Sequence, residues 1–100
     1  MNYCCLFIFV EGDDDYRFFE NVIKPVFESK YDWVEVRTYQ NVRKKYLKKF
    51  IRSLPSINGH YIYVRDFNNA KCISQIKSKI TTKIKEIDKN NILVIVKKII

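Results

Sequence analysis

Eight consecutive apolar residues, Tyr3 to Val10, stop abruptly at Glu11-Gly12-Asp13-Asp14-Asp15. A run that is apolar at every position has no face to offer water, so it reads as a strand covered on both sides, the central position of a parallel sheet flanked by helices. A second run, Tyr61-Ile62-Tyr63-Val64, ends likewise at Arg65-Asp66. Two buried strands therefore each deliver an acidic group where strand gives way to helix. In an open α/β sheet that is the edge where ligands bind.

The rest of the chain fills in around these two strands. Tyr16 to Phe27 sets Phe19, Val22, Ile23 and Val26 at helical spacing behind three aspartates suited to a helix N-terminus. Pro25 is expected to kink or end that helix, because its ring crowds the carbonyl of Asn21. Trp33 to Tyr39 alternates polar with apolar residues, the pattern of an edge strand. From Val42 to Leu54 the stripe Val42, Tyr46, Leu47, Phe50, Ile51 and Leu54 marks a second helix, ended by Pro55. Asn58-Gly59 turns the chain into a third strand, His60 to Val64.

Asn68 or Asn69 can cap a third helix whose stripe is Ile73, Ile76, Ile80, Ile84 and Ile87, with Lys77, Lys79, Lys83 and Lys85 on its outer face. Ile92 to Val96 reads as a fourth strand, apolar on both sides. The order βαβαβαβ predicts a three-layer α/β/α, Rossmann-like domain over residues 1–100, with a parallel four-stranded sheet and right-handed crossovers; the expected strand order is 2-1-3-4. In that order the fourth strand is at an edge yet looks buried. Either the chain is a fragment of a longer protein, which is the expectation, or a partner subunit such as a second copy covers that edge.

Charge and cysteine content narrow the partners. A net charge of +8 favours polyanions, because lysines and arginines beside phosphates release condensed counterions. Nucleic acid, DNA or RNA, is the expected partner. Arg43, Lys44, Lys45, Lys48 and Lys49 are the candidate phosphate contacts, although a solvated helix face would carry the same residues. Cys4 and Cys5 are neighbours on one strand and Cys72 is the only other thiol, so no disulfide framework follows and a reducing, cytoplasmic location is expected. One histidine, His60, and no Cys-x-x-Cys spacing leave a structural zinc site without ligands. No apolar run reaches membrane-spanning length, and no basic region precedes the first one.

The acidic residues carry the chemistry. In the 2-1-3-4 order the first and third strands are neighbours whose connections leave on opposite sides, which opens a crevice at their carboxyl ends. Glu11 and Asp66 face it, and Asp15, four residues after Glu11, can join them from the first helical turn. Each like-charged pair there costs about 1–3 kcal/mol, a penalty that a cation removes. Oxygen-only ligands suit Mg²⁺ or Mn²⁺, which would polarise a phosphodiester and lower the pKa of a bound water. Asp13 and Asp14 read as helix-charging residues, and His60 as a structural or surface histidine.

At these residues the chain resembles the Toprim domain, the catalytic module of topoisomerases, bacterial primases, overcoming-lysogenization-defect nucleases and smaller nuclease-like proteins. The family pattern is Glu-Gly after the first strand and Asp-x-Asp after the third. Glu11-Gly12 matches the first element, and Glu11, Gly12 and Asp15 meet the Glu-Gly-x-x-Asp form of several nuclease branches. Asp66-Phe67-Asn68 matches the second in part, with Asn68 where the second aspartate belongs. The resemblance implies a Mg²⁺- or Mn²⁺-dependent nuclease or nuclease module. Glu11 would be a metal ligand or general acid/base, Asp15 and Asp66 metal ligands, and Asn68 a neutral oxygen donor. Two other functions compete. A non-catalytic nucleic-acid-binding or assembly module would keep the fold and lose productive metal binding, and a receiver-like domain would use Asp66 as phosphoacceptor.

Overall fold

The computed structural model describes residues 3–66 and 73–95, without the side chains of Asp66, Ile73, Lys89 and Ile95. Four parallel strands, β1 (Cys5–Val10), β2 (Trp33–Thr38), β3 (Gly59–Asp66) and β4 (Ile92–Ile95), form one sheet in the order β2-β1-β3-β4. Helices cover both faces, giving the expected three-layer α/β/α, Rossmann-like architecture. The proposed caps Asn68 and Asn69, together with Cys72 and Val96, lie outside the described residues.

Every residue of β1 is buried. Its side chains alternate between two cores, as the period of a strand requires. Leu6, Ile8 and Val10 pack with Val34, Val36 and Val64 under the first helical segment, which supplies Phe19. Cys5, Phe7 and Phe9 pack on the opposite side with Leu47, Ile51 and Leu54, and with Ile76, Ile80, Ile84 and Ile87. These last two groups come from and follow α3 (Lys44–Ser53) and α4 (Ile73–Lys83), so one helical segment lies on one face and two helices lie on the other. The expected edge position of β2 holds. Its side toward α3 is partly polar, and Arg37 spreads its guanidinium over Phe50, 4.6 Å from the ring centroid, and over Phe7 at 5.5 Å.

The first helical segment departs from expectation. Pro25 neither ends nor breaks it: α1 (Asp13–Phe18) continues through a π-helical stretch, Phe19–Ile23, into α2 (Lys24–Glu28). The wide turn falls just before the proline, where an ordinary α-turn would press the ring against the carbonyl of Asn21. Widening also changes which residues face the sheet. With more than four residues per turn, steps of four stay in line, so the inward stripe is Asp15, Phe19, Ile23 and Phe27. Val22 and Val26, expected in the core, are 52% and 61% exposed.

The remaining turns follow from local chemistry. A 3-10 turn, Leu54–Ile57, ends at Asn58, whose left-handed backbone (φ 53°) suits asparagine. Gly59 then passes close beneath Leu54, where a Cβ would meet Leu54 Cδ2 at 2.8 Å and its carbonyl oxygen at 3.2 Å. β4 is less covered than its sequence suggests. Ile92 is buried, but Leu93 is 44% exposed, because the helical segment on its face packs over β2.

The inward stripe gives a direct stability test. Phe19→Ala should cost about 3–5 kcal/mol in urea unfolding, whereas Phe18→Ala, at a position 53% exposed, should cost less than about 1 kcal/mol. Equal losses at the two positions would contradict the inward placement of Phe19.

Candidate functional site

The site follows from how the two central strands end. β1 and β3 pair with Phe9 beside Tyr63, and two residues further on Glu11 and Arg65 leave the ladder side by side. Arg65 Nη1 lies 3.4 Å from Glu11 Oε2. Glu11 is 32% and Arg65 44% exposed at the side chain, so this contact is worth about 1 kcal/mol or less. The backbone of Glu11 is fixed from the other side: the Gln40 amide donates to its carbonyl at 3.1 Å, and the Tyr39 amide donates to Val10 at 2.9 Å. Because β1 lies between β2 and β3, with connections leaving on opposite faces, this is the switch point of the sheet.

Glu11 divides two hollows. On the α1 side a shallow depression of about 410 Å³ is lined by Glu11, Gly12, Asp13, Asp14, Asp15, Arg17 and Gln40. Asp15 is buried in the first helical turn, whereas Asp13 and Asp14 are exposed. Gly12 has an extended backbone open to any residue; a Cβ there would meet the Gln40 side chain at 3.1 Å.

On the other side, between α3 and α4, lies a cleft of about 390 Å³. Glu11, Arg65, Lys44, Lys79 and Lys83 line it together with apolar side chains of both helices. Tyr39 and Tyr63 also line it, stacked with ring centroids 4.4 Å apart. The Tyr39 hydroxyl donates to the Val64 carbonyl at 2.8 Å. Burial pushes both hydroxyls above the usual tyrosine range, Tyr39 the more strongly. For Arg65, burial works against the charge, but the Tyr39 hydroxyl and Glu11 outweigh it and hold the guanidinium firmly protonated.

The sequence-predicted residues divide accordingly. Glu11 and Asp15 both line the acidic depression. Asp66 ends β3 next to Arg65, with its side chain outside the described part, and Asn68 lies outside the described residues. Among the described residues, no three His, Cys, Asp or Glu side chains are grouped as a metal site. The basic residues differ in their surroundings. Lys44 lines the cleft, Lys45 stands over the Tyr46 ring at 5.5 Å, and Lys48 lies near enough to Glu86 to help lower its carboxyl pKa, after Arg52. Lys49 is exposed, and Arg43 precedes α3 with extended backbone. His60 sits at the opposite end of the sheet, its Nδ1 3.2 Å from the Tyr31 hydroxyl.

Arg65, Gln40, Lys79 and Lys83 were missed as site residues by sequence reasoning. A signal existed for the lysines. Lys79 and Lys83 immediately precede the buried Ile80 and Ile84, so they flank the core stripe, and Lys44 is in register with Leu47 and Ile51. No described helix is long and apolar enough to cross a membrane. No family model, curated protein or solved structure matches the chain.

The buried tyrosines predict alkaline sensitivity. A tyrosine whose folded pKa is raised stabilises the fold fully below the unfolded value of about 10, and that stability is lost as pH rises above it toward the folded value. The urea midpoint should therefore fall as pH is raised past about 10. It should fall less in a Tyr39→Phe/Tyr63→Phe variant. Parallel decline in the two proteins would show that these hydroxyls do not carry the effect.

Proposed function

We propose that the chain carries out metal-dependent phosphodiester chemistry on nucleic acid in the manner of a Toprim nuclease module, in the cytoplasm. The observation that supports this most is the ending of β1 at Glu11 and β3 at Asp66 on adjacent parallel strands, with an acidic hollow on one side of Glu11 and a cationic cleft on the other. Phosphodiester chemistry needs both: cations to hold the backbone, and carboxylates beside the reacting phosphate.

In this reading Glu11, Asp15, Asp66 and Asn68 are the oxygen donors for Mg²⁺ or Mn²⁺. When bound, the ion would polarise the phosphodiester and lower the pKa of an attacking water. Lys44, Lys79 and Lys83 bind phosphate oxygens, with Arg43, Lys45, Lys48 and Lys49 as further backbone contacts along α3. Arg65 neutralises Glu11 before substrate arrives. Once Glu11 takes another partner, the Arg65 guanidinium has a phosphate as its natural acceptor.

One observation favours a second reading. The Glu11–Arg65 contact leaves Glu11 already matched by a cation. A module that binds nucleic acid without cleaving it needs no more than that pairing and the lysines.

Mn²⁺ titration calorimetry, paired with cleavage assays on single- and double-stranded DNA and RNA, separates the two. For the nuclease reading, Glu11→Gln and Asp66→Asn each abolish Mn²⁺ binding and lower cleavage at least about a hundredfold, the scale of a lost acid–base group. Cleavage that survives both substitutions would overturn it. Salt-sensitive binding that ignores both substitutions, with no cleavage, would establish the second reading.

A further inference from the structure

We infer that the cleft between α3 and α4 is a binding site for the phosphomonoester of a nucleoside, either a free mononucleotide or the phosphorylated end of a strand. The inference does not rest on metal chemistry at Glu11. It rests on the charge, size and walls of the cleft.

Charge comes first. Four cationic side chains, Lys44, Lys79, Lys83 and Arg65, line the cleft against one carboxylate, Glu11, which Arg65 already engages. Among the described residues, no carboxylate pairs with Lys44, Lys79 or Lys83. Elsewhere the fold does pair cations, as in Lys24 with Glu20, Arg37 with Glu35 and Arg52 with Glu86. Three lysines lining one hollow repel each other, and an anion carrying more than one charge relieves that repulsion. A terminal phosphate monoester is such a group, with a charge near −1.5 to −2 at neutral pH.

The helices place these lysines by their own periodicity. Lys44 extends the buried stripe of Leu47 and Ile51 to the first turn of α3. Lys79 and Lys83 lie one turn apart beside Ile80 and Ile84 on α4. All three lysines line the cleft and stay exposed to solvent.

The walls indicate more than inorganic phosphate. Leu47, Ile76, Ile80 and Ile84 supply apolar lining, and Tyr39, stacked on the buried Tyr63, adds aromatic lining. Glu11 and Gln40 at the mouth offer acceptors and a donor for sugar hydroxyls. A volume of about 390 Å³ is within the range of small-molecule sites. Apolar and aromatic walls for a base, polar groups for a sugar and clustered ammonium groups for a phosphate are together the chemistry of a nucleoside phosphate.

The test is calorimetric titration of the full chain in EDTA with adenosine 5′-monophosphate, adenosine and inorganic phosphate. Saturable binding of the monophosphate near about 1 mM or tighter is expected, with adenosine and inorganic phosphate each at least tenfold weaker. Lys79→Gln/Lys83→Gln should weaken it at least tenfold, and Lys44→Gln severalfold. Lys30→Gln/Lys85→Gln, exposed and outside the cleft, should change it less than twofold. Competition by an oligonucleotide carrying a 5′-phosphate, but not by its 5′-hydroxyl form, would assign the site to a strand end; failure of both to compete with a bound monophosphate would assign it to the free nucleotide. No binding of the monophosphate, equal binding of inorganic phosphate, or equal loss in the two double-lysine variants would overturn the inference. Because the assay contains no free divalent ion, its failure is distinguishable from failure of the nuclease reading.

Discussion

Burial of β1 on both faces is the constraint on which the rest of this protein depends. Ile8 and Val10 are fully enclosed and Leu6 nearly so, while Phe7 and Phe9 are buried on the other side by α3 and α4. A one-residue slip of β1 against β2 or β3 would exchange its two sets of side chains between differently shaped cores, so the register is strongly specified. Where β1 ends is therefore determined, and so is the position of Glu11. Removing Ile8 methylenes would weaken the layer that holds the site as well as the fold, since both neighbours pair with this strand.

The charge layout follows from that frame. The connection from β1 to β2 crosses one face and brings aspartates to the strand end; the connections from β2 to β3 and from β3 to β4 cross the other and bring lysines. Acidic and basic groups thus meet at one edge because of chain topology, although they are far apart in sequence. Glu11 stands on the boundary, with Gln40 holding its backbone and Arg65 its carboxylate. Tyr39 and Tyr63 seal the floor beneath, neutral over the whole physiological range.

The elements that were legible in the sequence were those under a single dominant constraint. The apolar run from Tyr3 to Val10 reads as a doubly covered strand, and the alternation from Trp33 to Thr38 as an edge. Parallel pairing followed from the alternation of strands and helices. The first helical segment was harder. Its inward stripe depends on a π-helical stretch that answers Pro25, and a reading at 3.6 residues per turn put Val22 and Val26 inside. Of the candidate site residues, Glu11 stands out because a carboxylate after a buried strand gains nothing from packing, and Asp66 by its place at the end of the third strand. Lys79, Lys83 and Arg65 did not, since a lysine beside a core isoleucine looks the same in sequence whether it faces water or a cleft. Only the placement of α4 against α3 separates those cases.

The most direct measurement of the central idea, that function resides at the switch-point edge, is backbone amide shift mapping by NMR during titration with a short single-stranded oligonucleotide. The account predicts shifts concentrated at Glu11 to Asp15, Gln40 to Lys44, Arg65 and Lys79 to Lys83, with little change at Asn58 to His60 on the opposite end. Shifts confined to the outer side of α3, at Lys45 and Lys49, or centred on the Asn58 end of the sheet, would contradict it.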